Sequence, residues 1–142
     1  MSAQIDTVKR VYELFNELPG DEQSRQAHPA LAELLELFDP GIEFVAPTGQ
    51  PDASWSGRAG RDELVEGWDD WFSAWEEQRS HPREIVERGN HVLALTDDRF
   101  RGRDGIEIEM RGGAIYTFQG PTIVRIQTFF DQDSARHEFD AM

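Results

Sequence analysis

Asp97, Arg99 and Arg101 sit two residues apart, the spacing in this chain that most directly suggests chemistry. In an extended strand, residues of one parity share a face. If Leu93 and Leu95 point into a core, these three charged side chains follow them inward. Asp97 is then a candidate base or water-holder, Arg99 its electrostatic partner, and Arg101 a candidate ligand contact. An Asp one pleat from an Arg can hold a water or bind a substrate carboxylate or carbonyl. Two other arrangements send the same residues to solvent: a strand that leaves the core near Thr96, or a bulge at Asp97-Asp98 that exchanges the faces. Exposed ion pairs of that kind contribute little.

The aromatic residues offer hydrogen-bond donors and walls. Tyr12 follows Val8 by one helical turn on an apolar stripe. Once buried, its hydroxyl needs a partner, either a ligand or a strand group. Tyr116 poses the same choice from the sheet side, where alternation sets it with Ala114 and Phe118. Trp68, Trp71, Phe72 and Trp75 are spaced along one helical segment. Such residues are commonly core, with Trp68 and Phe72 the candidates for a ligand wall and Trp71 and Trp75 split between pocket and partner contact. Trp55 lies in a segment rich in Gly, Ser and Pro and reads as a lid or rim residue. His28, His81, His91 and His137 are scattered without a helical metal pair, and the glycines lack phosphate-loop spacing. Neither a metal nor a cofactor is expected.

These residues need elements to position them. Ile5, Val8, Val11, Tyr12 and Phe15 recur at helical spacing, and Pro19-Gly20 stops the helix. Residues 21–29 are polar and read as an exposed connection. Leu31, Leu34, Leu35 and Phe38 mark a second helix, ended by Asp39-Pro40-Gly41. A strand is expected over 42–46, a loop over 48–60, and a third helix from Arg61 through Trp75. After Pro82 the pattern predicts strands over 83–88, 91–101, 106–118 and 122–131, joined by short turns and hence antiparallel. A short helix over 134–141 closes the chain. Helices first and a meander afterwards is an α+β order, here one domain over 1–142.

Charge narrows the partners. Fourteen basic against 28 acidic residues leave a net charge of −14. Nucleic acid and anionic membranes are met by basic clusters, so neither is expected as a partner. The chain has no cysteine, which excludes thiol catalysis and Cys-ligated metals. Its first residues lack the basic and apolar regions of a signal peptide, so a cytoplasmic setting is expected.

Three segments carry a family resemblance. They are Leu37-Phe38-Asp39-Pro40-Gly41-Ile42-Glu43-Phe44, then Ser56-Gly57-Arg58-Ala59-Gly60-Arg61-Asp62-Glu63-Leu64, and Tyr116-Thr117-Phe118-Gln119-Gly120 running on to Arg125 and Phe130-Asp131. In this order and spacing the chain resembles the SnoaL-like division of the nuclear transport factor two-like superfamily. The resemblance implies a curved antiparallel or mixed sheet wrapped around about three N-terminal helices, forming a cone with an internal pocket. It also implies a homodimer packed through the sheet's outer face. Ile115, Phe129 and Phe100 are the apolar residues expected to be left uncovered there.

It further implies where known chemistries would sit. The base of a ketosteroid isomerase-like site falls on Ala46 and its protonated acid on Ala114, while its helix-one tyrosine falls within one residue of Tyr12. The inward Asp of the cyclases and of limonene epoxide hydrolase falls on Thr128, a candidate ligand contact. The hydrolase's Arg-before-Asp order is reversed in Asp97-Asp98-Arg99. Two functions follow as expectations. One is binding of a small, largely apolar molecule, with cofactor-independent cyclase, isomerase or hydrolase chemistry. The other is a non-catalytic dimeric binding or assembly module.

Overall fold

A computed structural model describes residues 2–45 and 58–142, with Arg58 and Ala59 described by their backbone alone. Trp55 and Ala46 therefore lie outside the described residues.

Helix α1, Ala3–Glu17, starts where the Ser2 hydroxyl accepts from the Ile5 amide at 3.2 Å, and buries Val8, Val11, Tyr12 and Leu14. The polar segment after it is not simply an exposed connection. Asp21 caps a short helix α2, Glu22–Ala27, that carries a buried arginine. Arg25 is 2% exposed. Its guanidinium pairs with Asp69 at 2.6 Å, donates to the Pro19 and Gly20 carbonyls, and lies over the Phe72 ring. A charge leaves water only with such partners, and that set of contacts is what orders the segment. Helix α3, Pro29–Glu36, then buries Ala30, Leu31 and Leu34.

Strand β1, Phe38–Val45, begins earlier than expected and includes Pro40-Gly41. The two-residue strand β2, Arg58–Ala59, pairs with it. Helix α4, Arg61–Ser73, is tied to the start of β1 by the Arg61 guanidinium, which donates to the Phe38 carbonyl. The helix stops short of Trp75, which opens strand β3, Trp75–Arg88. The indole of Trp75 packs on Trp71 and Phe100, with ring centroids 5.7 and 5.1 Å away. β3 is longer than expected because it pairs along the whole of strand β4, His91–Gly102. Pro82 is tolerated because β3 is an edge strand. Strands β5, Glu107–Gln119, and β6, Thr122–Phe129, follow, and helix α5, Gln132–Asp140, closes the chain.

The six strands form one sheet in the order β2-β1-β6-β5-β4-β3, antiparallel except for the parallel pair β1 and β6. The fold is α+β, with a curved mixed sheet around the N-terminal helices. Its inner face packs Val92, Ala94, Tyr116, Phe118, Ile123 and Ile126 against α1, α3 and α4. The outer face is covered too, over part of its area. There Leu93, Leu95 and Ile115 pack against Ala135 and Phe139 of α5. A β-carbon on Gly113 would stand 2.8 Å from that of Ala135, so this glycine lets α5 lie flat on the strand.

This second cluster corrects two expectations. Leu93 and Leu95 point out of the cone, not into it. Ile115 and Phe129 are covered by the chain's own last helix, and Phe100 faces inward, so the apolar surface expected to demand a partner is not uncovered at these residues.

Candidate functional site

With Leu93 and Leu95 outside, unbroken alternation along β4 carries Val92, Ala94, Thr96, Asp98 and Phe100 inside. No bulge interrupts the β4–β5 register: Asp97 faces Arg111, Asp98 faces Met110 and Arg99 faces Glu109. Asp97 is therefore on the outer face, exposed, its carboxylate 3.7 Å from Arg111. Arg99 is exposed as well and bonded to Glu109 at 3.0 Å, while Arg101, also outside, donates to Glu77 at 2.6 Å. The expected inward trio is an outward row of surface ion pairs. The carboxylate that enters the cone belongs to the neighbour, Asp98.

A cavity of about 180 Å³ lies between the sheet and helices α1 and α4. Its walls are mostly apolar and rich in aromatic rings. Tyr12 and Phe15 come from α1, Trp68 and Trp71 from α4, and Phe100 and Tyr116 from the sheet. Of the expected ligand residues, Trp68, Tyr116 and Thr128 line it, as does Tyr12, expected as a catalytic hydrogen-bond donor. Phe72 does not: it sits behind Phe15, 5.4 Å between centroids, beneath Arg25. Thr128 spends its hydroxyl on the Val45 carbonyl at 3.3 Å.

Asp98 is held at both oxygens. The Ser80 hydroxyl donates to Oδ1 at 2.5 Å and the Thr96 hydroxyl to Oδ2 at 3.1 Å. Ser80 is itself clamped on the free edge of β3 by α1. The Asn16 amide donates to the Ser80 carbonyl at 2.7 Å and accepts from its N–H at 2.9 Å. On the other side is Gly112, paired with Thr96. A β-carbon there would stand 2.9 Å from the Phe129 carbonyl and 3.1 Å from Asp98 Oδ2. The missing side chain is what lets the carboxyl lie against β5.

Burial pushes the Asp98 carboxyl above the ordinary carboxylate range, and the neighbouring Asp97 adds to this; the Ser80 and Thr96 hydroxyls and His81 oppose it. Burial likewise raises the Tyr12 hydroxyl well above its usual value, with the neighbouring Tyr116 hydroxyl and then Asp98 adding to this. Burial also raises the Tyr116 hydroxyl, opposed by its hydrogen bond with Tyr12 and aided by the charge of Asp98. The two rings meet edge to face at 6.1 Å. Both phenols therefore stay protonated donors, beside an acid whose proton is held more tightly than usual. A carboxyl whose proton is held more tightly than usual is suited to exchange one with a ligand, and a phenol can stabilise charge developing on a ligand oxygen.

Among the described residues, no group of three or more His, Cys, Asp or Glu side chains could hold a metal. Nor is any helix among them long and apolar enough to cross a membrane.

Asp98 could have been suspected from sequence only by doubting the parity. The run 92–95 is apolar at every position, and such a run does not say which face is inside.

Comparison with known proteins agrees with this architecture. Among curated proteins, none matches the chain in sequence. Solved structures do match in fold. An NTF2-like protein of unknown function from Burkholderia pseudomallei superposes with a TM-score of 0.78 at 20% identity, over 99% of this chain and 97% of the other. TerC, co-crystallised with polyporic acid, gives 0.74 at 20% identity, over 99% and 100%. SalBIII, an epoxide hydrolase/cyclase-like enzyme with a role in pyran ring formation in the polyether salinomycin, gives 0.67 at 15% identity, over 92% of each chain. The SnoaL-like domain matches residues 8–126, across the helices and strands that build the cavity, and this chain belongs to that family.

Proposed function

We propose that this protein binds a small, largely apolar molecule in the cone cavity and performs cofactor-independent proton-transfer chemistry on it, of the cyclase, isomerase or hydrolase type. Asp98 is the acid–base group and takes the role expected of Asp97. Tyr12 and Tyr116 are the hydrogen-bond donors. Trp68 and Thr128 complete the wall.

One observation carries this: a half-buried carboxyl braced by two hydroxyls in the wall of an aromatic-lined cavity, with its proton affinity raised. The co-crystallisation of TerC with polyporic acid and the role of SalBIII in pyran ring formation support a small-molecule occupant. The proposal keeps the expected cytoplasmic setting and needs no cofactor. It is tested by soaking crystals with a panel of uncharged aromatic and terpenoid compounds. Density within hydrogen-bond distance of Asp98 is expected. A cavity empty across the panel, with Asp98 titrating as an ordinary carboxylate, would overturn it.

A second reading, a non-catalytic dimeric binding or assembly module, is favoured by Ala114 and Thr128. Where related enzymes carry acids, one has no functional group and the other is spent on the Val45 carbonyl. The homodimer is proposed on new ground: Ile106 and Ile108 are 63% and 44% exposed at the end of the β4–β5 hairpin. Sedimentation at micromolar concentration should show a dimer, and a clean monomer would remove it.

A further inference from the structure

We infer that Asn16 is a positioning residue for the candidate acid: it grips the main chain of Ser80 and so keeps the Ser80 hydroxyl on Asp98. This rests on the assignment of Asp98 above and extends it to a residue on α1.

Strand β3 is an edge of the sheet, and an edge leaves main-chain N–H and C=O groups without a neighbouring strand. At Ser80 the Asn16 side chain takes that neighbour's place. Its amide donates to the Ser80 carbonyl at 2.7 Å and accepts from the Ser80 N–H at 2.9 Å. Both main-chain groups of Ser80 thus turn away from β4. Ser80 and Asp98 are cross-strand partners, and a pair whose main-chain groups point apart brings its side chains closest. That is how a side chain as short as serine reaches Oδ1 at 2.5 Å. Pro82 has the same parity, and its missing N–H falls on the free edge, where no ladder bond is lost. The β3–β4 register shifts just beyond, between Pro82 and Glu84, so pairing with β4 alone holds this stretch less firmly.

Asn16 stands one helical turn after Tyr12. One face of α1 therefore presents a candidate donor to the cavity and a grip on the strand that braces the acid. The brace matters because a hydroxyl donating to a carboxylate favours its charged form. Burial raises the proton affinity of Asp98, and the Ser80 hydroxyl opposes the rise. The other titratable groups about it are Tyr12 from α1, His81 from β3, Asp97 from β4 and Tyr116 from β5. Arg111 of β5 stands on the outer face with Asp97, and α4 contributes Trp68 and Trp71, which do not titrate. Asn16 is uncharged, so replacing it removes a hold without removing a charge.

The test follows the Asp98 carboxyl by NMR across pH in the full chain, with Asp98→Asn identifying its resonance. Ser80→Ala should raise the Asp98 midpoint by about half a pH unit or more, the equivalent of one hydrogen bond. Asn16→Ala should raise it too, by less, and should add nothing in the Ser80→Ala background. A fall toward the ordinary carboxylate range in both backgrounds would mean that Asn16 only keeps water out, and would overturn the inference. So would an Asp98 that moves with Ser80→Ala and not with Asn16→Ala, or one that moves with neither. Should Asn16→Ala fail to fold, exchange of the Ser80 amide in wild type reads the grip directly. Protection is expected there, and exchange at the rate of an open strand edge would overturn the inference. No ligand enters these titrations, so the cavity reading is judged separately. Wild-type Asp98 at an ordinary carboxylate value, with the variant shifts intact, would count against that reading and leave Asn16 in place. A raised Asp98 that no variant moves would do the reverse.

Discussion

Asp97 and Asp98 are neighbours in the chain and opposites in environment. Asp97 stands on the outer face in water, 3.7 Å from an arginine that is itself exposed. Asp98 points inward to Ser80, Thr96 and the edge of an aromatic cavity, where burial raises its proton affinity. The same functional group is a surface ion pair at one position and a candidate acid–base group at the next. Its value comes from desolvation and bracing, which one step along a strand exchanges completely.

The largest way to break this contrast is to remove what sets the parity. Phe139, 3% exposed, seals Leu93, Leu95 and Ile115 on the outer face. Phe139→Ala should cost about 3–5 kcal/mol by urea unfolding. A loss under about 1 kcal/mol would mean α5 is not what fixes the outer face.

Filling the space beside Asp98 should cost less. Gly112→Ala puts a β-carbon against the Phe129 carbonyl and Asp98 Oδ2, and about 1–3 kcal/mol is expected from such overpacking. The Asp98 carboxyl resonance should move with it in NMR. Unchanged stability and an unmoved resonance would show that the carboxyl does not depend on this glycine.

The smallest effect sharpens the comparison most. Asp98 has its folded-state proton affinity raised, so its contribution to stability is fully present below the ordinary carboxylate value near pH 4 and is lost as pH rises through the raised value. Asp21, Glu87 and Asp131 are shifted down and act in the opposite sense, losing their contribution as pH falls. The difference between wild type and Asp98→Asn isolates the first effect. Thermal unfolding across pH 4 to about 8 should show wild type losing stability relative to D98N as pH rises. Asp97→Asn should stay within about 0.5 kcal/mol of wild type throughout. Equal slopes for wild type and D98N would remove Asp98 from its assigned role.

Much of the fold was legible in the residues. Helical stripes at Val8, Val11 and Tyr12 and at Leu31 and Leu34, turn glycines, and the order of helices before strands all lead to the observed α+β architecture. Tyr12, Tyr116, Trp68 and Thr128, singled out in the sequence, line the cavity. What escaped is specific. The buried Arg25 lies in a polar segment that reads as solvent-exposed, because its partners Asp69 and Phe72 are far along the chain. Trp75 extends a helical apolar pattern and yet begins a strand, because pairing with β4 and stacking on Phe100 outweigh local periodicity.

Periodicity and turn chemistry thus determined most of the elements and their order, since each depends on residues a few positions apart. Which face of β4 is inside was decided only by tertiary structure. Residues 92–95 are buried on both faces, by the N-terminal helices on one side and α5 on the other. Alternation then fixes the relation between neighbours but not the sign, and the sign is what separates Asp98 from Asp97.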